Sequence, residues 1–423
     1  MHNRNADLQG KLADTVKRLP DTPVAHYERA LSILNGAAPG DLPALYDVTV
    51  ECREALRLKS DYAEAYCLLG AALTCMGQPE DAIRALEKAV SLQPGYAEAH
   101  YHLGKAYLAL GNLDNALILF NASRRLGMKD SPASCGIGTA LARKGLYPEA
   151  MAELNRAIAA DGENVEAHIR LGMACIEAGS IVEALAWLKK ATELSPGNVD
   201  AHLCLARAYL LKQVYDMALS EYEAALRLKP RSLDAINGKG NAYHCKGLLD
   251  QAIQEYRHAI DIHPGDYRAY NNLAMAYVDK GMYERAIPEY RLAICANPKL
   301  PELHSDFGML LLLRGDVYGA TLEFREALRL APASYADHVN LAMALDRSGQ
   351  TPEAMAELAE AVRLAPSKPD AFYHLGSITD RTGDTARAAT AYESFIRFSS
   401  GGDKRVKTVR ARLLEIKGGK KRK

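Results

Sequence analysis

LGAALTCMGQPEDA, at residues 69–82, is followed thirty-four residues later by LGKAYLALGNLDNA at 103–116. The next two copies at the same interval are IGTALARKGLYPEA at 137–150 and LGMACIEAGSIVEA at 171–184. Each copy has a small residue near its start, a glycine in its middle and an alanine at its end. A fixed interval of this length is typical of stacked repeats, in which each repeat buries its apolar face against the next. The interval therefore predicts a repeat architecture instead of several globular domains.

Ten repeats of thirty-four residues fit the chain without a gap. Each has two apolar patterns of helical period separated by a turn, so each predicts a pair of antiparallel helices. Positions are counted from the first residue of each repeat. The repeats are 63–96, 97–130, 131–164, 165–198, 199–232, 233–266, 267–300, 301–334, 335–368 and 369–402.

Small and large residues alternate at fixed positions of the repeats. Position eight is Gly or Ala in every repeat and position twenty is always Ala, as in Gly70 and Ala82. Position twenty-four often carries a large aromatic residue, for example Phe120 or Tyr256, and position eleven is Tyr in several repeats. Small residues on one helix opposite large residues on its partner predict closely packed helix pairs.

Glycine and proline mark the expected helix ends. Position fifteen is Gly in nine repeats, which suits the left-handed residue that follows a helix. Position thirty-two is Pro in seven repeats, such as Pro94 and Pro230, and a proline there stops the second helix before the next repeat begins.

These positions together resemble the tetratricopeptide repeat family, whose pattern is small at eight, twenty and twenty-seven, aromatic or Leu at eleven and twenty-four, and Pro at thirty-two. The resemblance covers residues 63–402 and ten repeats agree with it without an insertion. It implies an all-α fold, a right-handed α-solenoid or superhelix of stacked helix-turn-helix repeats with a concave groove.

The two ends of the chain depart from the regular repeat. We expect residues 1–22 to be disordered or partly helical, and residues 23–62 to form a divergent capping repeat, because terminal repeats face water on one side. After the last repeat, residues 403–417 predict a C-terminal capping helix, and 418–423 form a basic tail. From 403 to 423 there are ten Lys or Arg and two Asp or Glu.

Several function classes find no support in the residues. Net charge is zero, so the whole chain has no electrostatic bias toward nucleic acid or membranes. There is no membrane-spanning stretch, no secretory signal and no C-x-x-C pair among the eight cysteines. These features favour a cytoplasmic protein with reduced thiols. No catalytic constellation, cofactor motif or metal-ligand spacing is present, so we expect no enzyme, no cofactor and no metal site.

The resemblance implies that positions two, five, six, nine, twelve and thirteen of each first helix line the groove. An N-terminal zone then carries the cations Lys105, Arg143, Arg170 and Arg207. A C-terminal zone is rich in carboxamides and acids and contains Asn237, Asn241, His244, Asn271, Asn272, Asp279 and Asp306, with Asn340 further on. Asparagine can bond both the N–H and the C=O of an extended peptide, so this zone predicts a partner-binding groove.

One specialised form of such a groove is not expected. Asn241 and Asn272 match the two asparagines of the chaperone-binding carboxylate clamp of this family. The three basic positions of that clamp instead hold Asn237, Glu302 and Asp306, and the two acids would repel a C-terminal carboxylate. We therefore do not expect binding of chaperone tails.

The sequence thus predicts a non-catalytic scaffold or adaptor that binds an extended segment of a protein or peptide partner. Two alternatives stay open. The first is a regulatory or substrate-recruiting arm of an enzyme complex, for example glycosyltransferase-like, although no catalytic domain follows the repeats in these residues. The second is a nucleic-acid- or membrane-associated adaptor that uses the basic tail, a possibility weakened by the lack of aromatic residues there. Self-association through the ends or the outer face also stays open.

Overall fold

The computed structural model describes residues 21–37, 41–400 and 402–419, and within these ranges the chain forms twenty-three α-helices and no strand. The expected all-α helical repeat is confirmed. The chain divides into two compact units, an N-terminal unit of Met1–Leu228 and a C-terminal unit of Lys229–Lys423. Most of the N-terminal segment 1–22 and most of the basic tail 418–423 lie outside the described residues.

The N-terminal unit contains twelve of the described helices. They are α1 (Pro23–Gly36), α2 (Leu42–Leu58), α3 (Ala63–Cys75), α4 (Pro79–Leu92), α5 (Ala97–Ala109), α6 (Leu113–Arg125), α7 (Asp130–Arg143), α8 (Tyr147–Ala160), α9 (Val165–Glu177), α10 (Ile181–Leu194), α11 (Val199–Leu211) and α12 (Tyr215–Leu228). The first two helices occupy residues 23–62, where the sequence predicts a capping repeat.

The C-terminal unit contains the other eleven described helices. They are α13 (Leu233–Cys245), α14 (Leu249–Ile262), α15 (Tyr267–Asp279), α16 (Tyr283–Ala296), α17 (Pro301–Arg314), α18 (Val317–Leu330), α19 (Tyr335–Arg347), α20 (Thr351–Leu364), α21 (Pro369–Arg381), α22 (Thr385–Phe398) and α23 (Arg405–Gly419). The first helices of its five repeats are therefore α13, α15, α17, α19 and α21.

The small residue at position eight makes room for the large residue at position twenty-four of the same repeat. A Cβ added at Gly240 would lie 2.5 Å from Cε1 of Tyr256, and one added at Gly308 would lie 2.7 Å from Cε1 of Phe324. Both aromatic side chains are fully buried. The two helices of a pair can approach this closely because the first helix presents backbone where the second presents a ring.

Local chemistry sets the helix ends. The last residue of a repeat often caps the next first helix, as when Asn198 Oδ1 accepts a hydrogen bond from the backbone N–H of Ala201 at 3.0 Å. Nine of the first helices end before a glycine with positive φ at position fifteen, for example Gly281 with φ 74°. Gln213, with φ 63°, takes the same conformation without glycine.

The C-terminal helix α23 closes the last repeat. Val409, Leu413 and Ile416 are buried against Tyr392 and Phe395 of α22, and Val406 packs partly buried beside them. These four residues share one face of the sequence-predicted capping helix, whose observed bounds are shifted two residues toward the C terminus.

Candidate interaction surface

The candidate surface of the C-terminal unit is formed by positions two, five, six, nine, twelve and thirteen of α13, α15, α17, α19 and α21. It is called the first-helix face. The second helices pack behind the first helices, and the small residues at position eight hold each pair together. The side chains of this face therefore stand on a closely packed support, which limits the freedom that they can lose on binding.

Four asparagines on this face are partly exposed and have unused hydrogen-bonding groups. Asn241 Oδ1 accepts a hydrogen bond from the Tyr256 hydroxyl at 2.7 Å, which leaves its amide N–H groups without a partner among the described residues. Asn272 and Asn340 make no side-chain hydrogen bond within the described chain. Together these three amides offer donors and acceptors to a ligand.

Asn271 is held differently. Its Nδ2 lies 3.4 Å from Oδ2 of Asp306 in α17 and 3.6 Å from the sulfur of Met275. Its Oδ1 is buried and has no hydrogen-bond partner among the described residues. A buried carbonyl oxygen without a donor is costly, and a ligand's N–H could reach Oδ1 only after a shift of the Asn271 side chain.

Asn237 is more buried than the other predicted groove asparagines. Its side chain is only 6% exposed, and its Nδ2 donates to Oδ2 of Asp266 at 2.9 Å. Asp266 caps α15, so Asn237 joins α13 to the start of α15. Its Oδ1 is buried and has no hydrogen-bond partner among the described residues, so binding of a partner by Asn237 stays a prediction.

Contacts between acidic and basic side chains of neighbouring first helices involve two more of the predicted residues, His244 and Asp279. His244 Nε2 lies 2.6 Å from Oδ2 of Asp279, which links α13 to α15. Arg268 at position two of α15 bonds Asp234 at position two of α13 at 2.9 Å. His244 and Asp279 are thus brought together by the structure, and each already has a partner within the unit.

Asp306 has a different environment from Asp279. Burial raises the pKa of its carboxyl above the ordinary value. The hydrogen bond from Asn271 acts in the opposite direction, while the negative charges of Asp337 and Glu302 raise the pKa further. All three causes describe a partly buried acid surrounded by acids and a neutral amide.

Three methionines on the same face were missed by the sequence reasoning. Met275, Met309 and Met343 all occupy position nine, one in each of three successive repeats. Met275 is 38% exposed, and Met309 and Met343 are partly buried beside the apolar core. Position nine was among the expected groove positions, so the recurrence of Met there was a usable signal for an adaptable apolar strip.

The cations of the N-terminal unit are largely engaged. Arg207 pairs with Glu177 at 2.9 Å and Arg170 with Glu166 at 2.6 Å. Arg143 donates to the backbone carbonyl of Leu108. Lys105 is exposed and lies 5.9 Å from the ring centre of Tyr101. Two of the four predicted charges are therefore neutralised by carboxylates, which reduces the basic character of this zone.

The histidines at position four serve the packing of the repeats. Nδ1 of His202 lies 2.6 Å from Glu221, that of His304 2.7 Å from Glu323, and that of His338 2.6 Å from Glu357. Each glutamate belongs to the second helix of the same repeat.

Across the described ranges, no group of three His, Cys, Asp or Glu side chains is arranged to hold a metal ion. In the same ranges no helix has the length and apolar character needed to cross a membrane.

Comparison with known families gives matches to tetratricopeptide repeat models over several segments. One such model matches residues 76–131, 135–199 and 339–403, a TPR repeat model matches 240–281, and a further tetratricopeptide repeat model matches 267–300. Together the matched segments cover more than half of the chain. No curated protein matches the chain in sequence.

Solved structures with a similar fold have low sequence identity. Yeast Tom70 is 16% identical, with 94% of this chain and 96% of that chain covered at a TM-score of 0.50. A human IFIT1 dimer with m7Gppp-AAAA is also 16% identical, with 85% and 94% covered at 0.51. A tetratricopeptide repeat protein from Parabacteroides merdae is 19% identical, with 59% and 98% covered at 0.51. At this level of identity the likeness concerns the fold alone.

Proposed function

Because the chain belongs to the tetratricopeptide repeat family, we propose that it is a protein-interaction scaffold that binds an extended segment of a partner on the first-helix face of its C-terminal unit. In this proposal the protein performs no chemistry of its own. The repeats hold side chains in place, and the partner supplies a flexible segment that becomes ordered on binding.

The observation that carries this proposal is the set of unused amide groups on successive first helices. Asn241 has free donors, while Asn272 and Asn340 have free donors and acceptors among the described residues. An extended peptide presents its N–H and C=O groups at regular intervals and cannot satisfy them internally. Carboxamides at successive repeats can bond these groups with little demand on the partner's sequence.

The proposed compartment is the cytoplasm. All eight cysteines are free thiols, and four of them are buried. Burial raises the pKa of the Cys52 and Cys67 thiols to about 12, which keeps them protonated and unreactive at neutral pH. Unpaired, inert thiols are suited to a reducing compartment.

The proposal is tested by capturing partners from a native-cell extract on the intact chain and on two variants. The Asn241→Ala/Asn272→Ala variant removes two amides from the first-helix face. The matched control, Asn155→Ala/Asn297→Ala, removes two amides located elsewhere, one on α8 and one at the end of α16.

We expect a set of captured proteins that is retained by the control and reduced several-fold by the Asn241→Ala/Asn272→Ala variant. Thermal unfolding would verify that both variants keep the wild-type fold. Equal capture by all three proteins would show that the binding surface lies elsewhere, and the proposal would then be wrong.

A further inference from the structure

Most carboxylates on the first-helix face of the C-terminal unit contact an arginine or histidine side chain about one repeat away. These pairs link α13 to α15, α19 to α21, and α21 to α23. They are Asp234 with Arg268, Asp279 with His244, Asp346 with Arg381, Asp370 with Arg405 and Asp380 with Arg412.

The exception is formed by two acids of this face on α17 and by the buried Asp337 at position three of α19, the next first helix. Glu302, Asp306 and Asp337, together called the acidic gap, make no ion pair with any residue in the described part of the chain. Asp306 accepts a hydrogen bond from Asn271, and Asp337 accepts two from hydroxyl groups, Ser305 Oγ and Ser334 Oγ, each at 2.6 Å. Glu302 is exposed. The donors to the gap are thus neutral groups.

At the position beside Asp306 where a cation would pair with it, the chain has an asparagine. Asn271 of the preceding first helix lies beside Asp306, whereas Asp346 and Asp370 contact arginines at the same interval of thirty-five residues. Carboxylates that are partly removed from water without a counter-charge are costly, and a cation brought to them recovers much of that cost. The orphan Oδ1 of Asn271 shares its carbon with the nitrogen that bonds Asp306, so it lies a few ångströms from that carboxylate.

The surface beside the gap is apolar. Met275, Met309 and Met343 run along position nine, and Leu313 at position thirteen of α17 is 59% exposed. Methionine side chains adapt their shape to different apolar ligands. A ligand bound at the acidic gap could therefore also contact these apolar side chains and shield them from water.

We infer that the acidic gap binds a lysine or arginine side chain of a partner polypeptide, with a neighbouring apolar side chain of that partner packed on Met275, Met309 and Met343. This inference rests on the proposed function, because it names the segment that the first-helix face would select. The ammonium or guanidinium group carries N–H donors for Asp306 and Glu302 in addition to its charge. Nucleic acids and anionic membranes are disfavoured here, since their phosphates would meet the carboxylates of Glu302 and Asp306.

The test is a selection from a display library of random short peptides, with the full chain as bait. The Glu302→Gln/Asp306→Asn variant keeps the side-chain shapes and removes two charges. The control variant, Glu149→Gln/Asp261→Asn, removes the same number of charges from exposed positions on second helices. Thermal unfolding of each bait establishes that it is folded.

We expect peptides selected by the wild type and by the control to be enriched in Lys or Arg next to an apolar residue, and this enrichment to be lost with the Glu302→Gln/Asp306→Asn bait. A selected peptide should bind about tenfold more weakly when its basic residue is replaced by norleucine, since a charge-assisted hydrogen bond is lost. Its affinity for the wild type should also fall at high salt.

The failures of the two proposals can be told apart. Selected peptides that depend on Asn241 and Asn272 but show no preference for basic residues would overturn the acidic gap and leave the proposed function in place. Selection of no peptides, or of peptides that bind the Asn241→Ala/Asn272→Ala variant and the Glu302→Gln/Asp306→Asn variant as well as they bind the wild type, would overturn both.

Discussion

Asp370 in α21 and Asp306 in α17 lie on the same face of the C-terminal unit and have opposite surroundings. Asp370 receives Arg405 at 2.8 Å, and Arg405 also bonds Asp403 and lies over the rings of Tyr373 and Phe395. Asp306 receives only the amide of Asn271. An aspartate thus pairs with an arginine of the C-terminal helix at Asp370, whereas the aspartate at Asp306 has no counter-charge.

We therefore expect the acids of this surface to have two roles: those with an arginine partner stabilise the fold, and those without one bind a ligand. Where an arginine completes the pair, the acid contributes to holding neighbouring helices together, and little is left for a ligand. Where an asparagine takes its place, the carboxylate has no counter-charge to offset the cost of its partial burial. The two stretches should therefore respond to substitution in different ways, one in stability and the other in binding.

The largest expected effect is at the closed end. Replacing Arg405 by Ala removes the bonds to Asp370 and Asp403 and the contacts with Tyr373 and Phe395, so we expect a loss of about 2 kcal/mol in the free energy of unfolding. Urea denaturation measures it. The control is Arg410→Ala on the same helix, where the side chain is exposed and has no partner in the described structure. Equal stability of the two variants would contradict the comparison.

The second largest effect is expected on peptide binding when a cation is placed beside Asp306. In Asn271→Arg a guanidinium would take the place of the amide beside Asp306, as Arg405 does beside Asp370. We expect binding of a selected basic peptide to weaken about tenfold, because the carboxylate would already have a cation, while the fold is kept. Fluorescence anisotropy measures the affinity. Asn155→Arg, which adds the same charge on α8, should leave it nearly unchanged. Unaltered affinity in Asn271→Arg would show that Asp306 does not hold the basic residue.

The fold was predictable because its causes lie in single positions that recur. Glycine at position eight makes room for the residue at position twenty-four, and glycine at position fifteen has the positive φ that ends the first helix. Each requirement is local to one repeat, and glycine meets it at position eight in seven repeats and at position fifteen in nine, so the sequence pattern alone identifies it. Gln213 shows the limit of this pattern, since a residue other than glycine adopts the same φ.

The candidate site was less predictable because exposure and pairing depend on neighbouring repeats. Position five places Asn237 and Asn271 on the same line, yet Asn237 is buried against Asp266 and Asn271 is partly exposed beside Asp306. The position of a residue in the repeat predicts which face of the helix its side chain is on, but not how deeply that side chain is buried. Likewise, Arg207 was expected to meet a ligand, and the structure pairs it with Glu177.

The smallest effect concerns the charge of Asp306 itself. Burial raises the pKa of this carboxyl in the folded chain above its ordinary value of 3.8, so the folded state holds a proton more tightly than the unfolded state does. The contribution of Asp306 to stability is thus fully present below the unfolded pKa and is lost as the pH rises through the folded pKa. At neutral pH the ionised carboxylate of Asp306 therefore slightly lowers the free energy of unfolding. We expect Asp306→Asn to raise the Tm slightly at pH 7 and to have little effect at pH 3, since Asn resembles the protonated acid.

Asp370→Asn gives the opposite comparison, because it removes the partner of Arg405 and should lower the Tm at pH 7. Thermal unfolding of both variants and the wild type across this pH range measures the two trends. A lower Tm for Asp306→Asn at pH 7 would mean that the ionised carboxylate stabilises the fold, as Asp370 does, and that the acidic gap has a counter-charge after all. Opposite signs for the two asparagine variants would indicate that the acid at Asp306 is retained at a cost to stability, which is the pattern expected of a residue that serves binding.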